Sequence, residues 1–425
     1  MRLSLLSVLI FSSVMALPVA AEDWPQFRGL NRDGISLEKG WTTAWPASGP
    51  KKLWTFDIGK GHSSVAVADG RLFTLGNSNR KTDTLWCLNP ETGQKIWSYP
   101  YPCREWDREG GPCSTPTIDG DHVYTLSRDG DLFCFEAATG KVLWSKNAKK
   151  DFGGKAPLYG YTCSALILGK MLITNIGPAD DVIVALDKTD GSLLWKSGKE
   201  EAGYSSPVAY KRGKEDRVAV MTGTALLGIN AADGRVLWRY PWLVQNGNAV
   251  AMPVLADGQA FISTDYNMGS AAVPTTEEGA AGKPVNGTTT EPAVQPKPVW
   301  ENKEMSTHYN TCVLWQGYLY GFDGDNYRQA CLRCLEFKTG KERWKDRSLG
   351  KGSLTVADGK LLILGEKGDL IVAQASPGGF KPLSRAKVLD GKCWTAPVLV
   401  GGRIYCRNHE GTLVCLDVKA DPAGK

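Results

Sequence analysis

The chain has 425 residues, of which 42% are hydrophobic and 22% are charged, a composition typical of a globular protein. Its formal net charge of +5 is small for this length, and the basic residues form no block, which argues against a nucleic-acid partner. The 48 glycines and 15 tryptophans indicate a fold with many tight turns and a repeated aromatic position.

The first segment has the features of a secretory signal. Arg2 precedes an apolar run over residues 3–15, and small residues at 19–21 form a cleavage site. We therefore expect residues 1–21 to be a signal peptide. No later apolar run is long enough to cross a bilayer, so the sequence predicts an exported, soluble, periplasmic or extracellular protein. We expect it to be a monomer.

One hairpin pattern recurs along the chain. Its first copy, "LWCLNPETGQKIWSY" at 85–99, is a strand, a glycine-containing turn and a second strand. In five copies the turn glycine stands four residues before a tryptophan: Gly93 and Trp97, Gly140 and Trp144, Gly191 and Trp195, Gly234 and Trp238, Gly340 and Trp344. This fixed spacing indicates a repeat architecture.

A second hairpin precedes each copy of the first. It combines a strand of small residues, a turn often containing Asp-Gly and an aliphatic strand, and it occurs eight times, beginning at 64, 114, 163, 205, 251, 310, 353 and 395. Each unit therefore has four antiparallel strands, A to D, and a period of roughly 40–50 residues is typical of propeller blades. The sequence predicts an all-β, eight-bladed β-propeller with almost no helix.

The two ends of the chain each contain part of one four-stranded unit. The last unit stops after a third strand at 413–417, while "KKLWTFDIG" around Trp54 precedes the first unit without partners. We predict that the Trp54 strand completes the last blade and closes the ring, because an open edge is a liability. Residues 22–425 then form a single domain.

Two units depart from the pattern. In unit five, residues 268–299 are rich in Ala, Pro, Thr and Gly, and we interpret them as a flexible insertion. In unit seven, Leu383 stands where the tryptophan is expected.

The eleven cysteines divide into groups. Four of them, Cys87, Cys134, Cys334 and Cys415, share one repeat position, which Ala185 and Gly228 occupy in sister copies. A position shared by these residue types favours a small buried side chain, so we predict core thiols there. Cys103 and Cys113 bracket one loop and are the disulfide candidate of an exported chain.

The segment "ALDKTDGSLLW" at 185–195 resembles the tryptophan-docking repeat of quinoprotein dehydrogenases and other PQQ-binding-like β-propeller proteins. Relatives of that superfamily include the propeller lipoprotein of the outer-membrane assembly machinery. "DWPQFRG" at 23–29 also looks like the start of secreted propellers of this group. The resemblance implies the propeller fold over nearly the whole mature chain, and in the dehydrogenases a PQQ cofactor with calcium.

Three features of those relatives are missing from the sequence. It has no adjacent cysteine pair, the Cys331-Leu-Arg-Cys334 segment is followed by Leu335 rather than histidine, and it lacks the lipoprotein cysteine. The favoured function is therefore a non-enzymatic binding or scaffold module. The alternative is a PQQ-dependent dehydrogenase holding PQQ and calcium at the channel mouth, and a third reading is a structural role within an envelope assembly.

The candidate binding site lies on the face with the long D–A and B–C loops, because long loops on a rigid scaffold concentrate binding residues. Residues that enter strand A line the mouth of the central channel there, and the candidates are His62, Trp106, Arg108, His308, Tyr309, Asn310, Trp394 and His409. Arginine and aromatic side chains suit a planar or anionic ligand. The alternative, which is the more common case for such residues, is that they are solvated loop residues and aromatic plugs.

The expected partner of this face is a protein, a polymer or a small molecule. We assign no catalytic residue and no metal site. The histidines lack ligand-like spacing, and "DGDNY" at 323–327 lacks the glycine and glutamate of a calcium loop.

Overall fold

The computed structural model describes residues 23–46, 48–105, 110–178, 180–244, 247–276, 294–324 and 329–420. Eight blades, each with four antiparallel strands, form a β-propeller, which confirms the predicted fold. Within this part of the chain the one α-helix is α1 (Ala148–Phe152), between blades two and three. No helix in these ranges is long and apolar enough to cross a membrane. The predicted signal peptide, residues 1–21, lies outside them.

The strands of the first half follow in chain order. Two precede the blades, β1 (Ile35–Ser36) and β2 (Lys51–Asp57). Blade one contains β3 (Ala66–Ala68), β4 (Arg71–Ser78), β5 (Thr82–Leu88) and β6 (Lys95–Pro102). Blade two contains β7 (Thr117–Asp119), β8 (His122–Leu126), β9 (Asp131–Glu136) and β10 (Val142–Asn147). Blade three contains β11 (Leu166–Leu168), β12 (Met171–Asn175), β13 (Ile183–Asp187) and β14 (Leu193–Ser197). Blade four contains β15 (Val208–Arg212), β16 (Glu215–Met221), β17 (Ala225–Asn230) and β18 (Val236–Pro241).

The second half continues the same order. Blade five contains β19 (Val254–Ala256), β20 (Gln259–Thr264), β21 (Gly269–Pro274) and β22 (Trp300–Asn302). Blade six contains β23 (Val313–Trp315), β24 (Tyr318–Asp323), β25 (Cys331–Glu336) and β26 (Glu342–Asp346). Blade seven contains β27 (Gly352–Ala357), β28 (Lys360–Gly365), β29 (Asp369–Gln374) and β30 (Pro382–Lys387). Blade eight contains β31 (Val398–Val400), β32 (Arg403–Arg407) and β33 (Thr412–Asp417), with β2 as its outer strand.

The ring closes as predicted. Strand β2 pairs antiparallel with β33 and places Trp54 opposite Cys415. Because β2 comes from the start of the chain and β33 from its end, the hydrogen bonds of this one blade join the two ends of the propeller. No outer strand has to be supplied by another molecule to complete blade eight.

The repeated tryptophan faces a small residue across its own blade. The tryptophans of blades one, two, three, six and eight stand opposite Cys87, Cys134, Ala185, Cys334 and Cys415. In blade four the partner is Gly228, and a Cβ atom added there would overlap the Trp238 ring. The four cysteines are fully buried, which confirms the predicted core thiols. The tryptophan ring thus explains why this position accepts only small side chains.

Most of the repeated tryptophans also donate a hydrogen bond to the next blade, whereas the Trp238 indole donates to Tyr210 of its own blade. The Trp97 indole donates a hydrogen bond to the Ala137 carbonyl of blade two at 3.0 Å, and Trp54 donates to Pro90 of blade one at 3.1 Å. The ring covers the turn glycine of that neighbour: a Cβ atom on Gly93, whose φ is +69°, would lie 2.6 Å from the Trp54 ring. The fixed spacing of glycine and tryptophan therefore encodes the packing between blades, since the glycine leaves room for the ring.

Blade five differs from the prediction. The proposed insertion at 268–299 begins too early, because Gly269–Pro274 forms β21, paired along its length with β20. Its small residues are suited to a third strand, where Ala272 stands opposite Trp300. Residues 277–293 lie outside the described residues, and Val294 forms a parallel bridge with Trp238 of blade four.

A segment at the start of the chain, residues 23–38, fills the end of the channel that carries the short A–B turns; we call it the plug. Trp24 pairs with Val67 of blade one, and β1 pairs in parallel with β27 of blade seven. The Glu38 carboxylate accepts hydrogen bonds from the backbone amides of the A–B turn in blade eight. The plug therefore contacts the inner strands of blades that are far apart in sequence.

Candidate functional site

Two buried arginines hold the plug in the channel. The Arg28 guanidinium donates to the carbonyls of Thr311 and Cys312 at 3.0 and 2.8 Å, before strand A of blade six. On the other side, Arg32 donates to the carbonyls of Ser164 and Ala165, both at 2.8 Å, before strand A of blade three. Burial lowers the pKa of each arginine to about 10, so both remain charged at neutral pH. This end of the channel is sealed by hydrogen bonds to backbone carbonyls.

The opposite end is closed by a row of aromatic rings, which we call the mouth stack: His409, His62, Trp394, Tyr309 and His308. The ring centroids of His62 lie 4.5 Å from His409 and 5.1 Å from Trp394. Tyr309 stacks on Trp394 at 3.9 Å and on His308 at 3.5 Å. These residues come from loops preceding or within blades one, six and eight, so the stack bridges loops that are far apart in sequence.

Hydrogen bonds fix the orientation of the mouth stack. The His308 Nε2 atom lies 2.9 Å from the buried Asp265 carboxylate. The Trp394 indole donates to the Glu366 carboxylate at 2.7 Å, and the hydroxyl of Thr395 donates to the His62 carbonyl at 3.1 Å. The rings of His308 and Trp394 are thereby tied to carboxylates of blades five and seven, and the third bond holds the backbone of His62.

Cations surround the stack. Lys392 lies over the Trp394 ring at 4.2 Å and Lys351 over the Tyr309 ring at 5.5 Å. Burial lowers the pKa of His62 well below its usual value, and the nearby His409 and Arg407 lower it further. His62 is therefore neutral at physiological pH, and positive charge at the mouth comes from the lysines and arginines.

The cleft beside the stack is small. A cleft beside Tyr309, Asn310 and Trp394 has a volume of about 10 Å³, room for about one water molecule. The planar quinone that the fold family implies would need the rings to separate, because they contact one another where such a ring would stack. The described residues therefore do not fit a preformed PQQ site, and no group of three or more His, Cys, Asp or Glu side chains in these ranges converges as a metal site.

Most of the predicted site residues come together at the mouth. His62, His308, Tyr309, Trp394 and His409 form the stack, and Asn310 lines the cleft beside it. Trp106 and Arg108 lie outside the described residues.

The residues that contact the stack but were not singled out from the sequence include Lys351, Lys392, Asp265 and Glu366. Both lysines stand in the loops that lead into strand A of blades seven and eight, the same position that marked the aromatic candidates. The two carboxylates carry no comparable sequence signal.

The structure does not contain the predicted disulfide: Cys103 and Cys113 are both thiols. The two side chains face different surroundings. Cys103 is buried beside Asp83 and Asp129, which together with burial raise the pKa of its thiol. The Cys113 sulfur lies 3.7 Å from the Gly111 carbonyl and near the Arg407 guanidinium. The two cysteines lie in one loop, but a disulfide also requires that their side chains face each other, so their spacing in the sequence was not enough to predict it.

These features define a class: an eight-bladed propeller whose blades are joined by docked tryptophans. The family described as "Outer membrane protein assembly factor BamB" matches residues 81–326 and 328–421 of the chain. The chain belongs to this family.

Comparison with known proteins gives relatives of two kinds. The outer membrane protein assembly factor BamB of Yersinia pestis is 25% identical over 314 residues, which covers 70% of this chain and 72% of that protein. The quinoprotein alcohol dehydrogenase PedH of Pseudomonas putida is 25% identical over 193 residues, 41% of this chain and 30% of that protein. The similarity to the assembly factor thus extends over much more of both chains.

Solved structures confirm the fold. BamB from Moraxella catarrhalis superimposes with a TM-score of 0.61 at 13% identity, covering 87% of this chain and 99% of that one. The quinohemoprotein alcohol dehydrogenase from Comamonas testosteroni gives a TM-score of 0.68 at 15% identity, covering 94% and 81%. At these identities the likeness concerns the fold alone.

Proposed function

We propose that this protein is an exported, non-enzymatic binding or scaffold module that engages a partner protein of the cell envelope through its long-loop face, around the mouth stack. The observation that carries the proposal is the closure of the channel at both ends. The plug contacts the inner strands at one end, and at the other the rings stack on one another, with room for about one water in the cleft beside Tyr309, Asn310 and Trp394. A surface of loops with aromatic rings and lysines suits a macromolecular partner better than a small substrate.

Charge and side-chain type on this face support a protein partner. Tyrosine, tryptophan and arginine are enriched in interface hot spots, and Tyr309 and Trp394 are both partly accessible beside Lys351 and Lys392. The relatives with the longest matches are named as assembly factors, which also favours association over catalysis.

Photo-crosslinking tests the proposed face. A photoreactive amino acid is placed at Asp390, an exposed residue of the loop before blade eight, and as a matched control at Lys338, exposed in the C–D turn of blade six. In cells of the native host we expect one envelope protein to crosslink from position 390 and not from position 338. The same partner should bind the purified protein, and the Tyr309→Ala substitution should abolish this binding. Equal crosslinking from both faces would contradict the proposal.

The alternative, a PQQ-dependent dehydrogenase, remains a second candidate because of the shared fold. Purified protein is titrated with PQQ and calcium while the quinone absorbance is followed, and a dye-linked oxidation assay is run on alcohols and sugars. We expect no saturable binding and no turnover. A saturable spectral shift accompanied by dye reduction would replace the binding proposal with the enzymatic one.

Export is tested separately. Fractionation of cells that express the full chain should recover a mature form beginning near residue 22 outside the cytoplasm. An intact N-terminus in the cytoplasm would show that residues 1–21 are not a signal peptide.

A further inference from the structure

The outer strands of the blades share a bulge directly before the tryptophan. In blade two the register shifts between Val142 and Trp144, so Leu143 stands out of the ladder. The same shift occurs in blades one, three and four. The bulged residues are Ile96, Leu143, Leu194 and Leu237, all aliphatic. Since a bulge re-aims a side chain, these residues point to the outer rim of the ring.

Blade four differs from its neighbours in what covers the rim. Ile96, Leu143 and Leu194 are 46%, 42% and 38% exposed, whereas Leu237 is 3% exposed. Leu237 lies with Val294 and Trp238 in one buried apolar cluster.

Main-chain pairing accompanies this packing. Val294 forms a parallel bridge with Trp238, and its carbonyl accepts a hydrogen bond from the Arg239 amide at 3.0 Å. The contact between Val294 and blade four is therefore an example, within this chain, of an extended segment with an aliphatic side chain that binds at the rim.

The corresponding edge of blade three is open in the described part of the chain. Strand β14 is the last strand of its sheet. Beside it a groove of about 680 Å³ lies between blades three and four, lined by Lys196 and Ser197 of β14 and by Lys199 in the connection that follows the strand. Asp180, Asp181, Asp233 and Glu200 also line the groove, but they lie in connecting loops and turns, and Glu200 is bound by Arg239 at 2.5 Å.

The strand edges themselves carry positive charge. Strands β6, β10, β14 and β18 each contain a lysine or arginine, and within their bounds none contains Asp or Glu. A peptide segment bound at one of these edges is stabilised by carboxylates next to its aliphatic side chains, because the carboxylates lie near the basic residues of the strand.

We propose that the outer strand of blade three, and by the same geometry those of blades one and two, binds an extended segment of a partner polypeptide that alternates aliphatic and acidic side chains. The segment pairs with the strand edge through its main chain, as Val294 does in blade four, and places an aliphatic side chain on Leu194 and a carboxylate near Lys196. This rim site is separate from the mouth stack and does not depend on the proposed function of the long-loop face.

The probe is a fluorescein-labelled eight-residue peptide of alternating valine and glutamate. Fluorescence anisotropy should show binding that weakens with added salt, because part of the attraction is between exposed charges. Two comparison peptides separate the contribution of charge from that of main-chain hydrogen bonds. One has lysine in place of glutamate, and the other has alternate amides N-methylated to remove main-chain donors. We expect at least a tenfold weaker affinity for each.

The variants copy a substitution that the fold already accepts, since Arg343 stands before Trp344 at the corresponding bulge of blade six. The double variant Leu143→Arg with Leu194→Arg should lower the affinity for the acidic peptide at least tenfold. Leu243→Arg, at a leucine that is 72% exposed outside the rim strands, is the matched control and should leave binding unchanged.

Hydrogen exchange locates the peptide. Binding should protect amides of β14 and leave those of β18 unchanged. Equal affinity for the N-methylated peptide, equal affinity for the lysine peptide, or protection confined to the loop around Tyr309 would each overturn the proposal. Protection of β14 that rises with protein concentration without peptide would show a second copy of this chain at the edge, which also contradicts a partner segment. Trp394→Ala should not change peptide binding, so failure here is distinguishable from failure of the mouth-stack proposal.

Discussion

The two ends of the central channel are closed by different kinds of contact. At the short-turn end the plug uses backbone pairing and buried guanidinium groups, with Arg28 6% exposed and Arg32 4% exposed. At the long-loop end the closure consists of side-chain rings, several of them partly accessible, with lysines above them.

This difference indicates which end of the channel can change its conformation when a partner binds. Removing a guanidinium from the plug leaves carbonyls without donors inside the protein, a cost that opposes any opening. Parting two stacked rings loses about 0.5–1.5 kcal/mol for each pair, which a binding partner can supply. We therefore regard the plug as a fixed part of the ring and the mouth stack as its adaptable surface.

The largest effect is expected from the arginines of the plug. Arg28→Ala or Arg32→Ala should each lower the free energy of unfolding by about 3 kcal/mol or more, because each removes several charged hydrogen bonds to buried carbonyls. Urea denaturation of the purified variants measures the loss. Arg235→Ala, at an exposed turn residue, is the control and should change stability by less than about 0.5 kcal/mol. If either plug variant behaves like the control, the plug is not a structural brace.

Tyr309→Ala should have a smaller effect on stability, about 1–3 kcal/mol, because it removes the stacking contacts with His308 and Trp394. It should also open the mouth and change the fluorescence of Trp394, measured against Trp394→Phe as the blank. Tyr309→Phe keeps the ring and should retain stability. A variant as stable as wild type with unchanged fluorescence would show that the stack does not close the mouth.

His62 of the mouth stack predicts a pH dependence of the free energy of unfolding. The pKa of His62 is lower in the folded protein than the ordinary value of about 6.5, so between these values the unfolded chain binds a proton that the folded protein does not. Stability should therefore fall as the pH drops below about 6.5, by about 1 kcal/mol per pH unit from this residue. His409, Arg407, Lys392 and Arg128 all face His62 and favour its neutral form.

Unfolding curves between pH 7.5 and 5 test this, with His62→Phe as the variant that keeps a ring but cannot titrate. Asp83 acts in the opposite direction, since burial raises its pKa to about 6 and its protonation favours the folded state as the pH falls. The diagnostic quantity is therefore the difference between wild type and variant. Parallel pH profiles would contradict the assignment to His62.

The architecture was predictable because its information is local and repeated. The glycine and tryptophan spacing predicted the blades, and the missing outer strand of the last blade predicted the pairing of Trp54 with the end of the chain, which the structure confirms. The small residues opposite the tryptophans were likewise visible as Cys, Ala and Gly at one position. Loop position was enough to gather five of the eight candidate residues in the mouth stack.

The plug could not be predicted, because its contacts are not encoded by any periodic pattern. Arg28 binds a carbonyl 283 residues further along the chain, and its own φ of +65° is uncommon for a residue with a side chain. Whether the aromatic rings at the mouth would leave a slot or stack on one another was also undecidable from sequence, since it depends on side-chain packing between four loops. The insertion of blade five was placed too early because small residues indicate both a loop and the third strand of a blade.

The smallest effect is expected at the lysines of the mouth, and it tests whether they serve stability or binding. Lys392 lies 4.2 Å from the centroid of the Trp394 ring, and exposed cation–π contacts contribute about 0.5–1 kcal/mol. Lys392→Met keeps most of the aliphatic side chain and removes the charge, so it should lower the free energy of unfolding by no more than about 1 kcal/mol. Urea denaturation at low and high salt measures this, with Lys338→Met in the blade-six turn as the matched control. If the lysines instead belong to a binding surface, Lys392→Met should weaken crosslinking from position 390 far more than it lowers stability. A large stability loss with unchanged crosslinking would make the lysine a structural element of the mouth, closer in kind to the arginines of the plug.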